Sequence, residues 1–434
     1  MINDTGPGSR SLECKSTSEL QALKAALLER LEAYQAQKLN IDMTRGKPCP
    51  EQLDLALDML DCVGSTDYSI NGGDCRNYGG LDGLPEAKAL FADFLEVQPD
   101  EIIIGGNSSL AMMYDAFTRA MTHGVAGSET PWSKLPRIRF LCPSPGYDRH
   151  FSICEHLGIE MIPIEMTTDG PDMDRVESLV ASDDSIKGIW SVPKYSNPTG
   201  VTFSDEIVER LAAMQTAAVD FRVFWDNAYT AHHLTDRPPK LKNLLHACKQ
   251  AENPDRVFVF GSTSKISFAG SGVALMAGSR NNMDLTRQQV AFQTIGPDKL
   301  NQLRHVRFFR NMAGIESHMR KHAAILRPKF DAVLDSLEQE LDGKGIAEWS
   351  RPVGGYFINL DALDGCAQAV IQMAADAGVK LTPAGATFPY KKDLRDRNIR
   401  LAPSFPPVEE IQTAMGVVGT CIQIKAIDKL LGAS

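Results

Sequence analysis

Short apolar runs alternate with helix-like segments through the middle of the chain, from Glu101 onward. The runs are EIIIGG, IRFLC, IKGIWSV, FRVFW, RVFVFG and GVALMAG, and several are apolar at nearly every position. Runs of this kind are typical of strands that helices cover on both faces of a sheet. The alternation therefore predicts an α/β domain built around a mostly parallel sheet.

Helical patterns flank this region on both sides. Residues 18–38 carry leucines at helical spacing, which predicts an N-terminal amphipathic helix. A long helical stretch follows Gly296, and Pro328 is expected to kink or interrupt it. The remainder contains RPVGGYFINL, a helical run to about Gly378, IRLAPSF and a final helix, and it predicts a small α+β domain.

These patterns divide the chain into four parts. We predict an N-terminal leader and helix at residues 1–45, a large domain at 46–300, an interdomain helical segment at 301–335 and a small C-terminal domain at 336–434. The chain starts with MINDTGPGSRSLECKSTSEL, which lacks the apolar segment of a signal peptide. We expect this start to be a polar, mobile leader.

Composition and charge argue against several classes of protein. Of the 434 residues, 43% are hydrophobic and 23% are charged, which suits a folded chain with a large core rather than a disordered one. The net charge of −10 and the lack of a Lys/Arg-rich run argue against electrostatic binding to nucleic acid. No run approaches the roughly 20 apolar residues that cross a bilayer, which argues against a membrane-embedded protein.

Cysteine and histidine give no sign of a metal site. The nine cysteines stand singly, without a CxxC pair, which argues against a disulfide framework or a zinc cluster. We expect them to be small buried hydrophobic residues in a reducing cytoplasm. His318 and His322 are four residues apart in HMRKH but lack the Glu of HExxH, so the sequence predicts no metal ligands.

Polar and aromatic residues follow almost every predicted strand. Ligands bind beyond the carboxyl ends of the strands in open parallel sheets. The segments at these ends are GGNSSL, PSPGY, PKYSNPTG, DNAY and GSTSK. GGNSSL, which opens a helix, offers backbone N–H groups to an anion but is neither GxxxxGK[ST] nor GxGxxG. Taken singly these segments are weak signals, because NPTG can be an ordinary turn and a strand-end lysine an ordinary surface charge.

In combination, the segments are similar to those of a known family. NPTG, DNAY and SxSK follow one another in the order and spacing of fold-type I enzymes that use pyridoxal 5′-phosphate. The resemblance to class I/II aminotransferases runs from about Gly46 to about Phe405, and TRGKP, NYGGLDG, GGNSSL and STSKISFAGSG resemble a bacterial subgroup of aspartate aminotransferases. It implies an α/β fold with a mostly parallel seven-stranded sheet in a large domain, a smaller α+β C-terminal domain and pyridoxal 5′-phosphate as the cofactor.

The resemblance also implies roles for single residues around the cofactor ring. Lys265 forms the Schiff base with the aldehyde and moves the substrate proton, and Asp226 keeps the ring nitrogen protonated. Asn197 and Tyr229 hydrogen-bond the phenolic oxygen, and Tyr147 stacks on the ring face. Lys265, Asp226 and Tyr229 are thus the expected catalytic residues.

The cofactor phosphate is expected at the N-terminus of the helix that GGNSSL opens. Its implied contacts are Asn107, Ser108 and Ser109, with the hydroxyl of Ser262 in addition. Tyr78 of NYGGLDG matches a tyrosine that reaches the phosphate across a dimer interface, so the resemblance implies a homodimer with composite sites.

One position departs from the family pattern. The family usually places a second phosphate-binding arginine eight residues after the lysine, where this chain has Val273. Either another cation replaces that charge, with Arg76 and Lys194 as candidates, or hydroxyls and backbone N–H groups suffice.

Substrate binding is implied for the C-terminal region. Arg400 in NIRLAPSF matches the arginine that grips the substrate α-carboxylate through a bidentate contact. Asn197 and Gly46 are expected at the same site. A dicarboxylic substrate needs a second cation, for which Arg45 is the candidate.

The expected function is transfer of an amino group between an L-amino acid and a 2-oxo acid by a ping-pong mechanism. Aspartate or glutamate and 2-oxoglutarate or oxaloacetate are the expected small-molecule substrates, and the expected location is the cytoplasm. A β-lyase or α-decarboxylase with the same cofactor is an alternative, since alignment of the breaking bond decides the reaction. A non-catalytic effector-binding domain of a transcription regulator is another, although the family pattern already begins near Asp42.

Overall fold

The computed structural model describes residues 11–432, so residues 1–10 of the predicted leader lie outside the described part. Its helices are α1 (Thr17–Ala36), α2 (Pro50–Asp54), α3 (Pro85–Leu95), α4 (Ser109–His123), α5 (Asp148–His156), α6 (Met173–Val180), α7 (Asp205–Ala213), α8 (Leu244–Gln250), α9 (Arg280–Val290), α10 (Lys299–Phe309), α11 (Met312–Leu341), α12 (Ala367–Asp376) and α13 (Val408–Leu430). Its strands are β1 (Ile41–Asp42), β2 (Ser69–Ile70), β3 (Gly73–Asp74), β4 (Ile102–Ile104), β5 (Arg139–Ser144), β6 (Glu160–Glu165), β7 (Ile186–Ser191), β8 (Arg222–Asp226), β9 (Val257–Ser262), β10 (Ala274–Gly278), β11 (Ala347–Trp349), β12 (Ile358–Ala362), β13 (Val379–Lys380) and β14 (Asn398–Leu401).

The apolar runs of the sequence form one sheet of seven strands. Their order is β4-β10-β9-β8-β7-β5-β6. The strands from β9 to β6 pair in parallel, while β10 is antiparallel to both β4 and β9. Every residue of β7 and β8 is buried, as expected for strands covered on both faces. The predicted mostly parallel seven-stranded sheet is confirmed.

A second, smaller layer is built from both ends of the chain. Strands β11, β12 and β14 form an antiparallel sheet. Helix α1 begins at a capping box in which Ser16 and Glu19 satisfy each other's backbone N–H groups, and it buries Leu20, Leu27 and Leu31 in the same core as α13. Strand β1 pairs with β13, so the start of the described chain packs with its C-terminal region.

Helix α11 links the two cores. Ile315 in its first half belongs to the core of the seven-stranded sheet, and Phe330 in its second half belongs to the C-terminal core. Helix α11 continues through Pro328, so the proline does not interrupt it, and the expected kink stays a prediction. The break lies instead at Arg310, whose positive φ of 65° ends α10, and at Asn311, which caps α11. The domain boundaries themselves remain predictions.

Within residues 11–432, no helix has the length and apolar character that crossing a membrane requires. All nine cysteines are free thiols. Seven of them are buried, as the sequence predicts, whereas Cys14 is exposed and Cys62 is half-buried.

Candidate active site

A cavity of about 760 Å³ lies where the parallel strands end and the two cores meet. Its wall combines strand-end residues, the first turns of α4 and α5, the segment 44–47 and strand β14. The predicted site residues in this wall are Arg45, Gly46, Ser108, Ser109, Tyr147, Asn197, Asp226, Tyr229, Ser262, Lys265 and Arg400. Strand-end placement therefore brings together residues that are far apart in sequence.

Asp226 ends strand β8 and is only 3% exposed. One of its oxygens, Oδ2, is 3.0 Å from Nε2 of His150. The His150 ring stacks on Trp190 at 4.0 Å between ring centroids with an interplanar angle of 4°, which fixes its orientation. The other oxygen, Oδ1, is buried without a hydrogen-bond partner among the described residues. A buried, unpaired carboxylate oxygen in a cavity wall suits a cationic N–H group of a ligand.

Lys265 follows strand β9 and extends into the same cavity. Its Nζ lies 5.3 Å from the ring centroid of Tyr229. Burial lowers the pKa of Lys265 below its ordinary value, and the charge of Asp226 opposes this shift. Burial also raises the pKa of Tyr229 well above its ordinary value, so the phenol stays protonated and can donate a hydrogen bond.

Buried polar side chains form hydrogen bonds to the backbone around Lys265. The Lys265 carbonyl oxygen is 3.3 Å from Nε2 of His232 and accepts a hydrogen bond from the Tyr356 hydroxyl at 3.4 Å. The next carbonyl, that of Ile266, lies 2.8 Å from Nε2 of His318. Burial lowers the pKa of His232 and of His318, so both rings are neutral near pH 7. His318 thus has a structural role in this network.

Tyr147 caps the start of α5 and lines the same cavity as Asp226. Its ring contacts the His150 ring edge-on, with the centroids 4.9 Å apart. Burial, reinforced by the charges of Asp226 and Asp148, raises the pKa of Tyr147 to about 12. Its phenol is therefore neutral and offers a flat apolar surface to a ring-shaped ligand.

Arg400 on β14 is 6% exposed and points into the cavity from the C-terminal core. Its Nη1 donates to Asn197 Oδ1 at 3.3 Å and to Asp148 Oδ1 at 2.9 Å. The guanidinium lies 4.9 Å from the ring centroid of Phe357. A Cβ at Gly46 would approach that ring to 2.6 Å, so only glycine lets the 44–47 segment pack this closely.

Serine hydroxyls and the start of α4 form the other end of the cavity. Ser108 and Ser109 open this 15-residue helix, and Ser262 and Ser264 line the wall nearby. The Ser264 hydroxyl donates to the Asn107 carbonyl oxygen at 3.0 Å, which ties the two segments together. Free N–H groups of the first turn and these hydroxyls can bind an anion.

Several predicted phosphate contacts lie outside this wall. The Asn107 side chain donates to the Gly270 carbonyl oxygen at 3.1 Å and borders a second cavity. Tyr78 is 82% exposed and does not reach the cavity of its own chain. Arg76 forms an ion pair with Asp74 at 2.7 Å.

Lys194, the other candidate for the missing charge, is also outside the wall. It is 8% exposed and lies 5.7 Å from the ring centroid of Tyr195. Burial lowers the pKa of Lys194 to about 8, so its amine is charged less completely near neutral pH than that of an ordinary lysine. The structure therefore brings neither Arg76 nor Lys194 into the main cavity.

Two residues of the site were not predicted from the sequence: His150, which contacts Asp226, and Asp148, which contacts Arg400. His150 falls one helical turn after Tyr147, and this spacing is a signal that could have identified it. Asp148 adjoins Tyr147 but gives no such signal, because its partner Arg400 comes from the other core.

The charge of the cavity wall favours an anionic ligand. Within the described chain, its acidic members are Asp148, Glu155 and Asp226. Its basic members are twice as many, namely Arg45, Lys47, Arg149, Lys265, Lys391 and Arg400. An excess of positive charge in a partly enclosed cavity attracts phosphate and carboxylate groups.

The chain matches one family of enzymes along nearly its whole length. The family model described as aspartate amino-transferase matches residues 15–434. A protein from Mycolicibacterium smegmatis is 47% identical over 92% of this chain and 94% of its own length. The aspartate aminotransferase of Corynebacterium glutamicum is 45% identical over 92% of both chains.

The fold agrees with these matches. The crystal structure of an aspartate transaminase from Corynebacterium glutamicum has a TM-score of 0.95 to this structure at 43% identity, and the match covers 98% of this chain and 100% of that chain. The resemblance drawn from the sequence motifs is confirmed. The chain belongs to the aspartate amino-transferase family and is an aminotransferase.

Proposed function

We propose that this aminotransferase works with pyridoxal 5′-phosphate held in the main cavity by Lys265 and Asp226. The unpartnered Oδ1 of buried Asp226 carries the proposal, because it offers a charged acceptor for a protonated ring nitrogen. Lys265 supplies the amine for the cofactor aldehyde, and the start of α4 suits the phosphate. The residues therefore fit this cofactor.

Each side chain has a separate task in this proposal. When bound, the cofactor acts as an electron sink for the bonds at the substrate Cα. Asp226 holds the proton on the ring nitrogen, and His150 orients Asp226. Lys265, whose lowered pKa favours the neutral amine, moves a proton at the substrate Cα. Asn197 and Tyr229 line the same wall and would hydrogen-bond the phenolic oxygen of the cofactor.

We further propose aspartate or glutamate as amino donor and 2-oxoglutarate or oxaloacetate as acceptor. The name of the Corynebacterium glutamicum relative supports aspartate. Arg400 suits the α-carboxylate of the substrate. Its guanidinium already forms an ion pair with a carboxylate of this chain, that of Asp148, which shows that this site accepts such a group. The other cations of the wall, Arg45 among them, suit the second carboxylate of a dicarboxylic substrate.

The proposed function is tested by mixing the purified protein with aspartate and 2-oxoglutarate and measuring glutamate and oxaloacetate. We expect both products in equal amounts, with the parallel double-reciprocal lines of a ping-pong mechanism. Formation of neither product would exclude the aspartate assignment. Release of ammonia and pyruvate without an acceptor acid would instead favour the lyase alternative.

Arg400→Ala is expected to lower kcat/KM for amino acids about a hundredfold, because it removes a charge-assisted contact to the α-carboxylate. Initial rates over a range of donor concentrations measure the loss. Arg397→Ala is the matched control: Arg397 pairs with Asp361 at 3.4 Å outside the cavity, and we expect a change within about twofold. Normal kcat/KM of Arg400→Ala for every α-amino acid tested would contradict the assignment.

We also propose that two copies form a homodimer in the cytoplasm. Tyr78, Phe292 and Ile295 are 82%, 95% and 62% exposed. A Cβ at Gly296 would meet the Gly79 carbonyl oxygen at 2.7 Å, so the segments that carry Ile295 and Tyr78 lie side by side. Exposed apolar side chains on neighbouring segments favour association. Sedimentation at micromolar concentration tests the dimer, and the free cysteines support a reducing compartment.

A further inference from the structure

A second cavity, of about 230 Å³, lies beside the loop that leads into α4. Its wall includes Asn107 of that loop, Ser271 from the segment after Lys265, Val273 and Arg304 of α10. Asn107 immediately precedes the serines that line the main cavity. The second cavity therefore borders the loop that leads into the proposed phosphate end of the site, and the cationic side chain of Arg304 lines it.

Within the described residues, the guanidinium of Arg304 has no carboxylate to neutralise it. Its Nη2 donates to Asn301 Oδ1 at 3.0 Å, but its Nε is buried and has no hydrogen-bond partner within residues 11–432. No carboxylate of the described chain forms an ion pair with it at 4.0 Å or less. Asp298 lines the same cavity, but its Oδ1 accepts from the Asn301 backbone N–H as the cap of α10. A buried guanidinium N–H without an acceptor favours an anionic partner.

Arg304 is also held in a fixed position relative to the segment that carries Lys265. The Asn301 amide donates to the Gly272 carbonyl oxygen at 2.8 Å. One turn later, His305 Nε2 lies 3.0 Å from the Thr263 hydroxyl and 2.9 Å from that of Ser267. These hydrogen bonds fix α10 to the segments before and after Lys265. A side chain on α10 can therefore contact the same ligand as Lys265.

Val273, by contrast, offers no charge. It is 1% exposed, and its backbone N–H donates to the Thr263 hydroxyl at 2.8 Å. Arg304 lies outside the wall of the main cavity, as Arg76 and Lys194 do, but it alone of these three lines the cavity that Asn107 and Val273 border. We propose that Arg304, placed beside Val273 by helix α10, reaches the cofactor phosphate from this second cavity and binds it. Its planar guanidinium suits two parallel hydrogen bonds to phosphate oxygens. The inference rests on the proposed function.

Arg304→Ala is expected to weaken binding of pyridoxal 5′-phosphate to the cofactor-free protein at least about tenfold. Binding of pyridoxal, which lacks the phosphate, is expected to stay within about twofold of wild type, because its ring contacts remain. Equilibrium dissociation constants are measured from quenching of tryptophan fluorescence, since Trp190 packs against His150 at the ring end of the site. Comparing the two ligands in one variant separates a phosphate contact from a folding defect, which weakens both.

Two further variants complete the test. Arg304→Lys keeps the positive charge and is expected to lose less affinity for pyridoxal 5′-phosphate than Arg304→Ala. Arg237→Ala removes an exposed arginine on a loop and is expected to bind as wild type does. Unchanged affinity of Arg304→Ala for pyridoxal 5′-phosphate, or an equal loss for pyridoxal, would overturn the role of Arg304. Failure of the wild type to bind pyridoxal 5′-phosphate would instead overturn the proposed function.

Discussion

Lys265→Ala is expected to abolish covalent attachment of pyridoxal 5′-phosphate and to lower turnover more than about 10⁴-fold. The variant loses both the amine that binds the aldehyde and the group that moves the substrate proton. Burial lowers the pKa of Lys265, which increases the share of reactive neutral amine in the wild-type protein, and alanine supplies no amine in its place. Borohydride reduction of the wild-type protein with cofactor, followed by peptide mapping, should label Lys265, and single-turnover kinetics measure the loss of rate.

The fold of Lys265→Ala should remain intact. The backbone around residue 265 is held by His232, Tyr356 and His318 through carbonyl oxygens, which the substitution keeps. Circular dichroism should therefore match that of the wild type. Lys240→Ala, at an exposed lysine on a loop, is the control and should retain labelling and activity. Borohydride labelling at any lysine other than Lys265 would contradict the assignment.

The sequence predicts this fold well where burial is continuous. Strands β7 and β8 are buried on both faces, so their apolar runs are visible without knowledge of their partners. Pro328 shows the limit of local rules. A proline lacks one backbone donor, yet α11 keeps enough packing in both cores to continue through it. The positive φ of Arg310, which ends α10, has no sequence signal comparable to glycine.

The sequence predicts those residues of the candidate site that lie at the carboxyl ends of parallel strands. Asp226 ends a parallel strand, Asn197 and Lys265 come after the ends of two others, and parallel strands end at one edge of a sheet. Contacts between the two cores are different, because they depend on tertiary packing. The pairing of Arg400 with Asp148 joins residues 252 positions apart, and Arg304 reaches the side of Val273 only because α10 packs there.

Asp226→Asn is expected to lower kcat at least about a thousandfold, which corresponds to about 4 kcal/mol of transition-state stabilisation. Asparagine keeps the size of the side chain and an oxygen toward His150 but removes the charge that holds the proton on the ring nitrogen. Without that charge, a bound cofactor would supply a weaker electron sink for the substrate. Stopped-flow absorbance of the bound cofactor during one half-reaction measures the rate directly, apart from product release. Asp184→Asn, at an exposed aspartate, is the control and should keep the wild-type rate.

Melting temperatures can show whether the Asp226 carboxylate serves the reaction or the fold. In the absence of cofactor, Oδ1 is buried without a partner in the described chain, so the charge costs folding free energy. The cofactor-free Asp226→Asn variant should therefore unfold at a temperature equal to or above that of the cofactor-free wild type. With pyridoxal 5′-phosphate added, the wild type should gain more in Tm than the variant, because only its carboxylate pairs with the protonated ring nitrogen. A lower Tm of the cofactor-free variant, together with an unchanged half-reaction rate, would show that Asp226 serves the fold and not the reaction.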